Sequence, residues 1–172
     1  MNEKLNLRGA YTKTLARPTV RELMPLITFD FAGDFLFQGN PNLKRTVITN
    51  YDLRVEYFTS PGEIIALSAF YKDLENPMER VIRNDIGNNA TSIQNVPSGR
   101  VQGIEVEIRK NLGFLSERIE NFNFAGNFTL VHSEVDIADI ELDFIRAANP
   151  EAPSTRQLFG QSPYIKIGRA HV

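Results

Sequence analysis

His132, Ser133 and the acids after them, Glu134, Asp136, Asp139, Glu141 and Asp143, are the residue types in this chain most able to do chemistry. An imidazole beside a hydroxyl could activate a nucleophile, and a run of carboxylates could offer hard oxygens to Ca²⁺. The spacing argues against both. There is no nucleophile elbow, phosphate-cradling glycine loop or His-Glu-x-x-His pair, and the acids lack EF-hand intervals. A strand-end histidine and a solvated helix face account better for them. Glu105 and Glu107 could act as a paired acid and base, yet Arg109 follows two positions on, which suits ion pairing between neighbouring strands. Phe31, Phe35 and Phe37 could touch an apolar ligand or pack their own loop. No catalytic residue, metal ligand or cofactor is expected, and the sequence assigns no ligand-binding residue.

Composition narrows the class of protein that holds these residues. The chain has 172 residues, 42% of them hydrophobic, with a net charge of −2 and no cysteine. That length suits one domain with a real core. The charge gives no reason to expect nucleic acid as a partner, and disulfides and thiolate chemistry are excluded. No apolar run approaches the roughly 20 residues of a membrane helix. A membrane strand, needing only alternate apolar residues, is not excluded. The opening residues MNEKLNLRGAY contain no apolar export-signal core.

The elements that would position the side chains are strands, because apolar residues recur with period two. Leu5, Leu7, Gly9 and Tyr11 share one parity, and the strand ends at Ala16-Arg17-Pro18. Val47, Thr49, Tyr51, Leu53, Val55 and Tyr57 oppose Asn50, Asp52, Arg54 and Glu56. After the turn Ser60–Glu63, Ile65, Leu67, Ala69 and Tyr71 continue the apolar side. Ile104, Val106 and Ile108 oppose Glu105, Glu107 and Arg109, and Phe122 to Leu130 alternates again. A sixth strand starts at Tyr164. The connections 19–43 and 75–92 read as long and irregular, and 135–163 as long with one helix in ADIELDFIRAANP, its apolar side formed by Ile137, Ile140, Phe144 and Ile145. A helical turn in TVRELMPLI is also expected.

Long and short connections alternate, so in an antiparallel meander all the long ones share one rim. Long loops on one rim, short turns on the other and strands of about ten residues with one apolar face fit a transmembrane barrel. The apolar parity would then face lipid. The Ser60–Glu63 turn predicts pairing of Tyr57 with Ile65, Val55 with Leu67, Leu53 with Ala69 and Tyr51 with Tyr71, with Arg54 opposite Ser68 and Asp52 opposite Phe70. A slip by one residue would exchange the faces. Tyr57 belongs at an interfacial girdle. Tyr51 lies about 20 Å further along the strand, about 15 Å in height at a tilt of ~40°, against an apolar band of ~25 Å. It is expected inside the band, with the upper girdle elsewhere.

These segments resemble TonB-dependent outer-membrane receptors. GNPNLKRTVITNYDLRVEYF resembles the family's GNP-L-K segment, where a long loop re-enters the barrel, although Arg45-Thr46 replaces a frequent Pro-Glu. LRGAYTKTLARPTVREL is similar to the preceding strand, ALSAFYKDLENPMERVI to the next hairpin strand, and GRVQGIEVEIRKNL to the V-x-G-x-E strand. The resemblance covers Leu5 to about Ile165 and is closest to Bacteroidetes-type receptors. It implies a cell outer-membrane location and a barrel of about 22 strands closed by a plug. The plug engages the TonB energy-transducing complex, and ligands include siderophores, cobalamin and glycans. This chain would supply an all-β, antiparallel up-and-down meander, five to six strands from the C-terminal half of that barrel, with outer-membrane lipid, the TonB complex and a small-molecule or glycan ligand as partners. Two other readings are a passive or structural outer-membrane barrel without a plug, and a soluble all-β binding module or carbohydrate-active enzyme. The soluble reading requires a second layer over the apolar parity.

The closing YIKIGRAHV begins like a strand and then fits no strand, turn or cap pattern. Ile167 to Val172 correspond to atc gga aga gca cac gtc, the start of a common sequencing adapter whose next in-frame codon is a stop. Lys166 would be a hybrid codon, 1–165 partial barrel and 166–172 artefact, leaving His132 as the native imidazole. Met1 reads equally well as an internal methionine. The chain is therefore expected to be a piece of a longer protein, an open, twisted sheet with an exposed apolar convex face that should not be stable alone in water.

Overall fold

The computed structural model describes residues 4–83 and 90–171. Residues 84–89 of the expected connection 75–92, and Val172, lie outside the described residues. Five long antiparallel strands run as a meander: β1 (Leu5–Ala16), β4 (Thr46–Tyr57), β5 (Ile64–Glu75), β8 (Ser98–Asn111) and β9 (Asn123–Asp136). Beyond β9 pair the short β10 (Thr155–Arg156) and β11 (Tyr164–His171). β11 thus runs through residues for which the sequence offers no strand pattern. The sheet does not close on itself, and no helix among the described residues is long and apolar enough to cross a membrane.

The β4–β5 register is the expected one, Tyr57 to Ile65, Val55 to Leu67, Leu53 to Ala69 and Tyr51 to Tyr71. Register then carries each outward row across the whole sheet. Leu7, Val55, Leu67, Val106 and Phe128 form one row, and Gly9, Leu53, Ala69, Ile104 and Leu130 the next. These side chains are not covered: Leu67 is 53% exposed and Ile104 48%. On the opposite parity Glu56 is only 5% exposed and Arg54 and Glu107 are half-buried, while Arg8, Asp52 and Arg109 remain exposed. A soluble sheet hides its apolar face; this sheet leaves its apolar face open.

The tyrosines depart from expectation. Tyr11, Tyr51 and Tyr71 stand side by side in one row, with ring centroids 5.3 and 6.2 Å apart. The next outward row toward the long loops is Lys13, Thr49, Asp73, Arg100 and Glu134. The continuous apolar outward surface is therefore interrupted just beyond the tyrosine row, with Leu15 exposed on the far side of the polar row, so Tyr51 stands at its border and not inside it. The height missing along the strands is supplied at the other rim, where Phe58 and, in the turn between β8 and β9, Phe114 and Leu115 are exposed. At that rim Lys110, the Thr59 hydroxyl and the Asn111 N–H hold the Glu63 carboxylate down to about 2 and pin the two short turns together.

One glycine has a clear reason. A Cβ on Gly103 would lie 2.4 Å from the Leu130 carbonyl oxygen and 2.5 Å from the Phe70 ring, which folds across the strand at that point. The V-x-G-x-E pattern keeps the strand bare where an inward aromatic covers it.

The connections read as irregular are not. The first holds α1 (Val20–Leu23), β2 (Ile27–Asp30) and β3 (Phe35–Gln38), and the second holds β6 (Met78–Ile82) and β7 (Ala90–Asn95). They join as a second sheet, β2-β3-β7-β6, in which β3 and β7 run parallel across the two loops. Strands of four to six residues paired to a remote loop carry too little alternation to be seen in sequence. α1 is the expected helical turn, with a capping box between Thr19 and Glu22. The third connection holds α2 (Asp139–Ala148), the expected helix. Ile140 and Phe144 are exposed, and Glu141, expected on a solvated face with the other acids, turns inward to Arg156 instead. The apolar core lies among the loops: Val81, Val96, Val135 and Ala138 are buried together, with Leu158 against them.

Candidate ligand vestibule and lumen

The inward face of the barrel strands carries a ladder of ion pairs. Asn6 donates to Glu56 Oε2 at 3.0 Å, and Arg8 pairs with the same oxygen at 3.2 Å. Arg54 Nε donates to Glu56 Oε1 at 2.8 Å, its Nη1 to the Ser68 hydroxyl at 2.9 Å and its Nη2 to Glu107 Oε2 at 2.6 Å. Arg109 donates to Glu107 Oε1 at 2.6 Å, and Asn127 to Glu105 at 2.5 Å. Each of the five long strands, β1, β4, β5, β8 and β9, contributes, because period two places these residues on one face and register aligns them. This is the lining of a wet lumen. Glu107 and Arg109 are ion-paired here, as their spacing suggests, while Glu105 accepts from the Asn127 amide instead of a cation.

His132 and Ser133 are not brought together. They are neighbours on a strand and so point to opposite faces. His132 is exposed beside Gln102 in the tyrosine row, while the buried Ser133 hydroxyl accepts the Leu158 N–H at 3.2 Å. The acids are dispersed too. Glu134 receives two bonds from Arg100, Asp136 accepts from the Ser98 N–H and hydroxyl, and Glu141 faces Arg156. Among the described residues no cluster could hold a metal ion.

Above the lumen the long loops are stapled to one another. In the GNP segment, Gly39 lies against the end of α1, where a Cβ would meet the Met24 carbonyl oxygen at 2.2 Å. The Asn40 N–H donates to the Glu22 carbonyl at 2.6 Å, and its amide donates to the Ile93 carbonyl at 3.2 Å. Asn95 accepts the Lys44 N–H at 2.7 Å and donates to the Lys44 and Asn76 carbonyls. Asn76 itself adopts φ 51, a conformation asparagine tolerates better than most.

Two arginines of this cap lie on aromatic rings. The Arg21 guanidinium is 4.8 Å from the centre of the Phe37 ring and pairs with Asp30 at 3.1 Å. Arg21 and the Ala32 and Gly33 N–H groups hold the Asp30 carboxyl below its ordinary value. Arg80 sits between Phe35, at 4.8 Å, and Phe159, at 5.5 Å, each distance within cation–π range. Phe35 and Phe37 thus pack the cap, while Phe31 is 89% exposed and meets only the Phe29 ring edge-on at 5.0 Å among the ring pairs. Arg80, Phe159 and the GNP-to-Asn95 staple carried no sequence signal, since their partners lie in other loops.

Comparison with known proteins agrees with this geometry. Residues 1–161 match the family described as TonB dependent receptor-like, beta-barrel. A curated relative, the "Probable hemoglobin and hemoglobin-haptoglobin-binding protein 4" of Haemophilus influenzae, is 26% identical over 144 residues, 77% of this chain and 14% of that protein. Among solved structures, the siderophore receptor PirA of Pseudomonas aeruginosa superposes with a TM-score of 0.61 at 18% identity, covering 79% of this chain and 28% of the receptor. The ferric enterobactin receptor PfeA of the same organism gives 0.53 at 19% identity, covering 81% and 24%. The chain therefore spans a small part of each relative's length. With nearly all of its residues matched, this chain belongs to the TonB-dependent receptor-like β-barrel family, a family of receptors and not of enzymes.

Proposed function

We propose that this chain is a barrel segment of a cell outer-membrane receptor that captures a ligand and imports it with energy from the TonB complex. The coupling would run through a plug domain outside these residues. The observation that carries the reading is the inverted sheet: exposed Leu53, Leu67 and Ile104 outside, and the Arg54–Glu56–Glu107 ladder inside. The exposed rows suit hydrocarbon, and the ladder suits a lumen that a plug would fill. The uncovered apolar parity speaks against a soluble all-β module, and the family speaks against a passive barrel. Cobalamin and glycan ligands have no support among the relatives, whose names point to siderophores and haemoglobin.

The vestibule favours an anionic ligand bearing flat rings. Arg80, flanked by Phe35 and Phe159, sets a cation between two π faces, while the buried Phe37 and the Asp30-paired Arg21 brace the cap beside it. In the full receptor, Arg80→Ala is expected to weaken binding of a ferric catecholate siderophore or haem about tenfold, a loss of roughly 1–2 kcal/mol. Titration on intact cells measures it, with tonB-deleted cells separating binding from import. Undiminished affinity in Arg80→Ala would remove the vestibule assignment. Absence of any uptake that depends on TonB would remove the function.

The native barrel is proposed to end in this chain near Ile165, with 166–172 derived from adapter. Register places Lys166 in the outward row beside Phe128, and Ile165 and Ile167 on the polar side, opposite Thr129 and Asn127. In β4 and β8, by contrast, Leu53, Val55, Ile104 and Val106 lie on the outward side and Arg54, Glu56, Glu105 and Glu107 on the other. Resequencing the source locus is expected to show a different codon at 166 and an open frame beyond it; the same seven codons followed by a stop in genomic DNA would refute this.

A further inference from the structure

Where the third loop meets the second, two carboxylates share one guanidinium. Arg156 Nη1 lies 3.3 Å from Glu141 Oε1, and its Nη2 lies 3.7 Å from Glu79 Oε2 and donates to the Arg80 carbonyl at 3.0 Å. Glu79 is 6% exposed. The Oε2 atoms of both glutamates and Nε of Arg156 are buried without a hydrogen-bond partner. With both carboxylates ionised, the cluster holds a net charge of −1 away from water, which is costly.

The surrounding charges do not neutralise it. The Arg80 guanidinium is turned onto the Phe35 and Phe159 rings. Arg100 is engaged by Glu134, which also accepts from Thr155, and Arg146 donates to the Ala152 carbonyl. Across the β6–β7 ladder from Glu79 stands the neutral Gln94. Burial pushes the Glu79 carboxyl above its ordinary value; Arg156 and the Phe159 N–H oppose this, and Glu141 adds to it.

We infer that docking of the third loop onto the second takes up one proton, held on Glu79, so that acid closes the loop cap and rising pH loosens it. The docked state binds the proton more tightly than the undocked one. Its contribution to docking is complete below the ordinary carboxylate value of 4.5 and is lost as pH rises through the higher docked value. The docking constant changes about tenfold for each pH unit separating the two values. The loop reaches the proposed ligand site through Phe159, whose ring centre lies 5.5 Å from the Arg80 guanidinium. Only that last consequence, control of ligand access, rests on the vestibule reading above; the docking equilibrium does not.

Two nitroxide labels test the proposal in the full receptor reconstituted in outer-membrane lipid. Ile82→Cys and Glu151→Cys place them on the two loops, at exposed positions outside the cluster. Pulsed dipolar distances between them should show the docked population growing severalfold from pH 8 to pH 4.5. In Glu79→Gln, whose amide mimics the protonated acid, the docked population should be high and independent of pH. Identical distributions at both pH values in the parent receptor, or continued titration in Glu79→Gln, would overturn it. A titrating cap together with an Arg80→Ala variant of normal affinity would retain this inference and reject the vestibule.

Discussion

Leu67→Arg is expected to cost the assembled receptor about 2–4 kcal/mol, the penalty for a cation facing lipid near the bilayer midplane. Leu67 lies in the middle of the outward face, between Val55 and Val106 and below the tyrosine row. It is half exposed only because nothing of this chain covers it. An arginine there cannot reach either interface without bending its long side chain along the strand. The matched control is Thr49→Arg, on the same face but one row beyond Tyr11, Tyr51 and Tyr71. At that height the same charge should cost about 0–1 kcal/mol. Equilibrium urea unfolding in bilayers, followed by heat-modifiable gel mobility, measures both. Equal tolerance of arginine at 67 and 49 would mean the outward face does not meet hydrocarbon.

Arg54→Ala should be nearly as damaging, for the opposite reason. It leaves Glu107 with Arg109 alone and Glu56 with Arg8, and takes a donor from Ser68. Removing one partner from a buried pair costs about 3–5 kcal/mol, because the remaining charge stays desolvated. Arg54 keeps some contact with water, its side chain being 26% exposed, so the lower end, about 3 kcal/mol, is expected. Adding Glu107→Gln to Arg54→Ala should recover part of the loss by removing the stranded charge. The same urea transitions decide it: if the double variant is less stable than Arg54→Ala alone, Glu107 is not stranded and the ladder is not the unit described here.

The two halves of the molecule differ in how far they could be read from sequence. In the barrel strands, one residue's parity determines its face, so Leu53, Leu67 and Ile104 could be set against Arg54, Glu56 and Glu107 by counting alone. A turn of known length then gave the β4–β5 pairing residue by residue. The loops resisted the same reading. Phe35 and Phe37 stood out as aromatics, but their partners Arg80 and Arg21 were ordinary charges until the loops were brought together. In α2 the acids read as one solvated face, yet Glu141 turns inward because its partner Arg156 lies further along the loop, out of reach of any local period. The tyrosine girdle fell between these cases. Tyr51 could be placed along its own strand, but the border at its height is drawn by Lys13, Asp73, Arg100 and Glu134 on four other strands.

Sequence by itself determined which side chains share the apolar face of the sheet and which share the charged one, because the two-residue period of a strand is local and needs no partner. Only the tertiary structure decided what the cap can do. Its ladders, amide staples, stacked arginines and shared carboxylates join residues such as Glu79 and Arg156, far apart in the chain, and no local period records which remote groups will meet.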